Sequence, residues 1–299
     1  MGSSAHRSGT RATGVGLLAS VIALSGIALT HHEATAGGAE ILGHSIYGQG
    51  PEKVLVFHDW MGDSANYDPV APYLDPTTFT YVFADVRGYG QSRNLKGEYT
   101  VEEVAGDAFR LADDLGWKRF HVVGHSMNGM VVQRMAIDDW VSGVKRLKSI
   151  VAITPVTADG YPADEGTKKF LWDAIGDRAV TEQAFSGLTG GRLLSAWSRV
   201  KTDRYRAMST EVAVKGYYKM WLDTDFSADA RAAKVGTPIR VIGGRQDLPG
   251  FSEEKYRATF EAWYPNVDLQ FITDAGHYPM QETPVYLATL VEGFLAANK

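Results

Sequence analysis

Short apolar runs, rich in valine and isoleucine, alternate along the chain with longer segments whose apolar residues recur every three or four positions. The runs are typical of buried strands and the longer spacing is typical of amphipathic helices. Strands that alternate with helices indicate an α/β fold, with a mostly parallel sheet and helices on both faces. We predict six strands, at residues 53–57, 80–84, 120–123, 149–153, 239–242 and 267–272.

Two helices have recognisable starts. Thr100 and Glu103 have the spacing of a capping box, and an apolar face follows them. Near the C-terminus we expect Thr283 as N-cap and Pro284 at the first helical position, where proline is well tolerated.

Between the fourth and fifth predicted strands lies a long segment, residues 155–235, which has helical spacing and no convincing strand. It is rich in large aromatic residues, which can cover a pocket and exclude water. We therefore predict a helical lid at 155–235, inserted into an α/β core formed by 37–154 and 236–299. Its aromatic residues include Phe170, Trp172, Phe185, Trp197, Tyr217, Tyr218 and Trp221.

The N-terminus differs in character from the rest of the chain. Arg7 and Arg11 precede a weakly polar to apolar run at 15–29, and the small residues 34–36 (ATA) follow. This order is the layout of a secretory signal peptide, so we predict one at 1–36 and a secreted or periplasmic protein. The apolar run is shorter than the roughly 20 residues of a membrane-spanning helix. An uncleaved membrane anchor is the alternative.

Charge and composition narrow the classes of partner. The net charge is −5 and there is no long basic run, which argues against nucleic acid and against an anionic membrane surface. The chain has no cysteine, which excludes disulfides and a cysteine nucleophile. Its histidines have no metal-ligand spacing with acidic residues, so we expect neither a metal nor a cofactor. The partner that we expect is a small, largely apolar substrate.

The sequence around Ser126 (VVGHSMNGM) reads as a strand, a tight turn and the start of a helix. A serine on such a turn is exposed at the carboxyl end of a sheet, as a nucleophile elbow. Gly124 supplies the small residue that the crowded turn needs. Asn128 stands where the usual G-x-S-x-G pattern has its second glycine.

A serine hydroxyl becomes a good nucleophile when an imidazole takes its proton and a carboxylate orients that imidazole. Asp247 follows the fifth predicted strand and His277 follows the sixth. The order Ser, Asp, His is the one expected in this type of α/β fold. We predict the catalytic triad Ser126, Asp247 and His277, with Asp159 as the reserve acid.

The triad pattern resembles that of the α/β-hydrolase superfamily, in its branch of lidded esterases and lactonases. The loop at 85–92 (DVRGYGQS) is similar to the D-x-R-G-x-G-x-S loop of that branch, and we expect its role to be structural. The resemblance runs from about residue 53 to the C-terminus, with the lid least matched.

The resemblance also implies an oxyanion hole formed by the backbone N–H groups of Trp60 and Met127. Family members typically have His-Gly before the first donor, whereas this chain has His58-Asp59. A carboxylate beside a developing oxyanion would oppose it, so either the Asp59 side chain points away or the chemistry is atypical. We expect His58 to be a structural hydrogen-bonding residue.

The function that the resemblance implies is hydrolysis of a small carboxylic ester or lactone through an acyl-enzyme. Relatives that cleave carbon–halogen or epoxide bonds typically have aspartate as nucleophile, so Ser126 argues against both. Two alternatives stay open: a cofactor-free oxygenase or haloperoxidase-like enzyme, and a non-catalytic protein that binds a small ligand on the same scaffold.

Overall fold

In the computed structural model, which describes residues 1–2, 30–32 and 40–299, eight strands form a single sheet. The spatial order is β1-β2-β4-β3-β5-β6-β7-β8. Neighbours from β4 to β8 pair in parallel, and β1 and β2 add an antiparallel edge. The strands are β1 (Thr30–His32), β2 (His44–Gly48), β3 (Glu52–Phe57), β4 (Phe79–Ala84), β5 (Phe120–His125), β6 (Leu147–Ile153), β7 (Ile239–Gly244) and β8 (Val267–Ile272).

The predicted α/β fold is confirmed, and all six predicted strands are present. Strands β4 and β5 are buried along their whole length, and β3 and β6 are buried over most of it. Strands buried on both faces are near-continuous apolar runs, which made them readable. Strand β2 (HSIYG) was not predicted, because it is short and carries only two strong strand formers between polar and glycine ends.

Helices cover the sheet and also form the segment between β6 and β7. They are α1 (Val101–Asp114), α2 (Met127–Ser142), α3 (Glu165–Gly176), α4 (Arg178–Leu188), α5 (Ser195–Met208), α6 (Glu211–Asp223), α7 (Ser227–Ala233), α8 (Glu253–Tyr256), α9 (Pro279–Glu282) and α10 (Pro284–Ala297). None of the helices in the described residues is long and apolar enough to cross a membrane.

Only half of the predicted capping box forms at α1. The Thr100 side chain accepts a hydrogen bond from the backbone N–H of Glu103. The Glu103 carboxylate reaches one residue further back and accepts from the backbone N–H of Tyr99 at 2.8 Å. Helix α10 begins at Pro284 as predicted, but the Thr283 side chain makes no capping hydrogen bond.

Five helices, α3 to α7, lie between β6 and β7 and include no named strand. We call this segment the lid and keep 155–235 as its predicted boundaries. The predicted signal peptide, 1–36, lies almost entirely outside the described residues. Within it the structure describes residues 1–2 and β1, and β1 pairs with β2.

Candidate active site

Ser126 lies on a sharp turn between β5 and α2. Its backbone has φ 56° and ψ −117°, a conformation that is costly for any residue except glycine. The turn is tight enough that a Cβ atom on Gly124 would lie 2.3 Å from the backbone oxygen of Asn128. The predicted need for a small residue at position 124 therefore has a direct steric cause.

Asp247 and His277 meet at the same edge of the sheet. They follow β7 and β8, which pair in parallel, so both side chains emerge at the carboxyl ends of adjacent strands. His277 Nδ1 lies 2.7 Å from Asp247 Oδ2, and both side chains are buried. Burial raises the pKa of Asp247, and the hydrogen bond to the His277 ring opposes that rise. With the Nδ1 proton donated to the carboxylate, Nε2 of His277 is left as a proton acceptor.

Ser126 and His277 line one cavity of about 250 Å³ under the lid. Within the described part of the chain, no hydrogen bond involves the Ser126 hydroxyl, so the Oγ–Nε2 contact of a closed triad is not made. Such contacts often tighten only when substrate is bound. The cavity therefore brings a serine hydroxyl and an imidazole to one place.

The walls of this cavity are almost entirely apolar. Lid and loop residues supply most of them, chiefly Phe170, Leu171, Phe185, Leu188, Trp221 and Phe251. None of the described residues that line it is a lysine or an arginine, and Asp59 is the single lining carboxylate. The cavity suits an uncharged, apolar ligand.

The two predicted oxyanion donors lie near Ser126, since Trp60 lines the same cavity and Met127 is the next residue in the chain. Trp60 follows β3, and Met127 is the first residue of α2, directly after Ser126. Among the hydrogen bonds of the described residues, none has the backbone N–H of Trp60 or Met127 as donor. The N-terminus of α2 adds the positive end of a helix dipole at the same place.

The Asp59 carboxylate is turned toward its neighbours and both of its oxygens accept hydrogen bonds. Oδ1 accepts from Asn66 Nδ2 at 2.5 Å, and Oδ2 accepts from the Tyr278 hydroxyl at 2.6 Å. Both oxygens are therefore engaged by protein donors, although Asp59 is also a lining residue of the cavity.

His58 and Asn128 fasten the same loop. His58 Nδ1 lies 2.7 Å from the carbonyl oxygen of Asp59, and its Nε2 accepts from the backbone N–H of Val86 at 3.2 Å. Asn128 Nδ2 donates to the carbonyl oxygen of His58 at 2.6 Å. Asn128, which replaces the second glycine of the usual pattern, thus connects helix α2 to the loop that carries Trp60.

The reserve acid Asp159 is occupied elsewhere. Its Oδ2 accepts from Lys255 Nζ at 2.7 Å, and its Oδ1 accepts from the Thr157 hydroxyl. The loop at 85–92 has structural contacts, since the buried Arg87 guanidinium donates two hydrogen bonds to the Asp107 carboxylate, at 2.6 and 2.9 Å.

Glu282 holds the loop that carries His277. Its carboxylate accepts from the backbone N–H of Gly276 at 3.0 Å and of Tyr278 at 2.9 Å, one residue on each side of the histidine. Arg192 of the lid binds the same carboxylate. The His277 N–H itself donates to the lid carbonyl of Leu188 at 2.8 Å. The histidine loop is therefore held from the body and from the lid.

We expect Glu282→Gln to lower the free energy of unfolding by about 1–3 kcal/mol, because it removes the charge-assisted character of these buried hydrogen bonds. Denaturant unfolding followed by tryptophan fluorescence measures this change. Glu261→Gln is the control, since Glu261 pairs with Arg257 on an exposed helical turn and should change stability by about 0.5 kcal/mol or less. Equal effects of the two substitutions would contradict the role assigned to Glu282.

Sequence reasoning missed Asn66, Lys201, Tyr278 and Glu282. Tyr278 and Glu282 stand close to His277 in the chain, but no pattern marks which of its neighbours hold the loop. Lys201 lies in the lid, 135 residues from Asn66, with which it forms a hydrogen bond. A lysine in an amphipathic helix is usually exposed, so nothing in the sequence marks this one as buried.

A family model for the alpha/beta hydrolase fold matches residues 53–284. The dihydrolipoyllysine-residue acetyltransferase component of the acetoin cleaving system of Cupriavidus necator is 28% identical over an alignment of 246 residues, with coverage of 79% of this chain and 61% of that protein. A non-heme haloperoxidase of Rhodococcus erythropolis is 24% identical over an alignment of 227 residues, with coverage of 70% of this chain and 79% of that one. The crystal structure of a bromoperoxidase from Bacillus anthracis has the same fold, with a TM-score of 0.76, 20% identity, and coverage of 89% of this chain and 100% of that one. With a family match that spans most of the chain and a sheet of the same topology, this protein is a member of the α/β-hydrolase family.

Proposed function

We propose that this protein is a serine hydrolase that cleaves a small carboxylic ester or lactone through an acyl-enzyme intermediate. The observation that carries the proposal is the 2.7 Å hydrogen bond between His277 and Asp247, beside a serine on a strained elbow in the same cavity. Acyl transfer needs a nucleophile, a base and an orienting acid, and we assign these roles to Ser126, His277 and Asp247.

In the proposed reaction, Ser126 Oγ attacks the carbonyl carbon while His277 Nε2 takes the hydroxyl proton. The carbonyl oxygen becomes negative and accepts hydrogen bonds from the backbone N–H groups of Trp60 and Met127. His277 then gives its proton to the leaving alcohol, which leaves Ser126 acylated. A water molecule, deprotonated by the same imidazole, releases the acid and restores the hydroxyl.

The size and lining of the cavity suggest the substrate class. An apolar cavity of roughly 150 Å³ accommodates benzene, and the cavity here is about 250 Å³. We propose uncharged substrates with one ring or a short alkyl chain beside the scissile carbonyl. A substrate carboxylate would find no lysine or arginine among the described lining residues.

A matched pair of esters tests the proposal. We expect 4-nitrophenyl butyrate to be hydrolysed with a kcat/KM at least about tenfold higher than the mono-4-nitrophenyl ester of succinate, because the succinyl carboxylate loses hydration in an apolar cavity without a counter-ion. Release of 4-nitrophenol measures both rates, and a set of lactones extends the comparison.

A fluorophosphonate probe, with the labelled peptide identified by mass spectrometry, supplies an independent measurement. We expect a single modified serine, Ser126. Absence of labelling together with absence of ester and lactone turnover would refute the proposal and favour a binding protein on this scaffold. Labelling without turnover would favour the haloperoxidase-like alternative, which oxygen-consumption and halogenation assays then address.

A further inference from the structure

Lys201, on lid helix α5, is a lysine buried in the protein interior, with 6% of its surface exposed. Its ammonium donates a hydrogen bond to Asn66 Oδ1 and lies 4.6 Å from the centre of the Tyr278 ring. Burial of an ammonium costs several kcal/mol unless an opposite charge and hydrogen bonds compensate. A buried ammonium therefore needs a group of opposite charge nearby to offset its desolvation.

The partner is Asp59, which Lys201 reaches through the Asn66 side chain. Asn66 accepts from Lys201 with its oxygen and donates to Asp59 Oδ1 with its nitrogen, at 2.5 Å. The two contacts fix the orientation of the amide, because an ammonium can only donate and a carboxylate can only accept. One amide group thus connects a cation on the lid with an anion on the body.

The space for this connection depends on Gly62. A Cβ atom there would lie 2.0 Å from Asp59 Oδ1 and 2.3 Å from Asn66 Nδ2. The loop therefore has Asp59 where the family has glycine. Three residues later it has Gly62, at the point where the side chains of Asp59 and Asn66 meet.

Asp59 lies between the two loops that carry the proposed catalytic groups. It directly precedes Trp60, a proposed oxyanion donor, and its Oδ2 accepts from Tyr278, the residue after His277. The Trp60 indole also donates to the carbonyl oxygen of Val214 on lid helix α6, at 2.9 Å. We call Asp59 and Trp60 the oxyanion loop. The histidine loop holds Asp59, and the lid holds Trp60.

The two charges depend on each other. Burial alone would raise the pKa of Asp59, but the Lys201 ammonium is the largest of the groups that outweigh it and hold that pKa below its usual range. Burial lowers the pKa of Lys201, and the Asp59 carboxylate is the largest of the charges that oppose this shift. Loss of either group removes the largest opposite charge that acts on the other in the interior.

We infer that Lys201, Asn66 and Asp59 form a hydrogen-bonded relay through which the lid holds the oxyanion loop in place and offsets the negative charge of Asp59. Lys201 and Asp59 are therefore positioning residues for acyl transfer. The inference rests on the proposed function. Without Lys201, the Asp59 carboxylate next to Trp60 keeps its hydrogen bonds to Asn66 and Tyr278 but loses its main countercharge, so its negative charge opposes the one that develops on the substrate oxygen. Substitution of Lys201 should therefore lower activity because of the negative charge of Asp59, and removal of that charge in the same protein should restore part of the activity.

The test compares the full-length variants Lys201→Met, Asp59→Asn and the double substitution with wild type. The control is Lys169→Met, because Lys169 is an exposed lid lysine that pairs with Asp173 on the same helix. With 4-nitrophenyl butyrate we expect Lys201→Met to lower kcat about tenfold and to change KM less than about threefold, as for loss of an interaction made mainly in the transition state. We expect the double variant to recover at least about threefold of that loss. A lysine that only stabilises the fold would leave kcat, measured per folded protein, unchanged.

Two results would overturn the inference: a Lys201→Met kcat equal to that of Lys169→Met, or a double variant whose loss is the product of the two single losses. Failure of the proposed function is distinguishable, because wild type would then neither react with the fluorophosphonate nor hydrolyse esters. In that case the denaturation midpoints of the same four variants test whether Lys201 and Asp59 depend on each other. A double variant no less stable than the Lys201→Met single supports the relay, and additive losses refute it.

Discussion

Ser126→Ala is expected to lower kcat for ester hydrolysis by about 10⁴-fold or more, since the alanine leaves only substrate binding and the oxyanion donors to act. Fluorophosphonate labelling should disappear together with turnover. The measurement is the rate of 4-nitrophenol release by purified wild type and variant at equal concentration.

The backbone at Ser126 offers a control for correct folding. Alanine keeps the strained φ of 56°, whereas glycine adopts that conformation without strain. We therefore expect Ser126→Gly to be as inactive as Ser126→Ala and more stable by about 1 kcal/mol in denaturant unfolding. Residual turnover above about one hundredth of wild type in both variants would mean that another group is the nucleophile.

Asp247→Asn is expected to lower kcat by about 10⁴-fold with little change in KM. An amide in place of the carboxylate favours the wrong tautomer of the His277 ring and no longer stabilises its protonated form. The hydrogen bond at 2.7 Å identifies Asp247 as the group in position to do both. Steady-state kinetics with 4-nitrophenyl butyrate measure the loss.

Asp159→Asn is the matched control, because Asp159 follows the neighbouring strand β6 but is bound to Lys255. We expect its kcat to stay within about threefold of wild type. If Asp159→Asn were the more damaging of the two substitutions, the assignment of the acid would have to be exchanged.

The sheet and the placement of Asp247 and His277 could be predicted because each depends on a local signal. Strand β7 is a mostly buried run and β8 alternates apolar and polar residues, and a polar residue in the short loop after either strand lies at the carboxyl edge of the sheet. Ser126 has the added signal of the small residue at position 124. Each of these residues follows a single strand, so the position of that strand in the sheet fixes the place of the residue in the fold.

The contacts around Asp59 could not be predicted in this way. The sequence shows that an acid replaces a glycine, but the side chain's direction depends on Asn66, Tyr278 and Lys201, which come from three distant parts of the chain. The bounds of the lid helices were equally out of reach. Their helical periodicity is visible, whereas their ends depend on caps such as Asp164, Asp177 and Thr210, which resemble many other polar residues in the segment.

The five lid helices lie between β6 and β7, which are direct neighbours in the sheet. A parallel pair needs only a crossover connection, so the length and composition of that connection can vary without a change in strand register. Related enzymes could therefore exchange this cassette as a unit and acquire new substrate ranges while the body stays constant. In a chimaera, a foreign lid would need a cation in the place of Lys201 and an arginine in the place of Arg192. Otherwise Asp59 and Glu282 of the body would have to be replaced by uncharged residues.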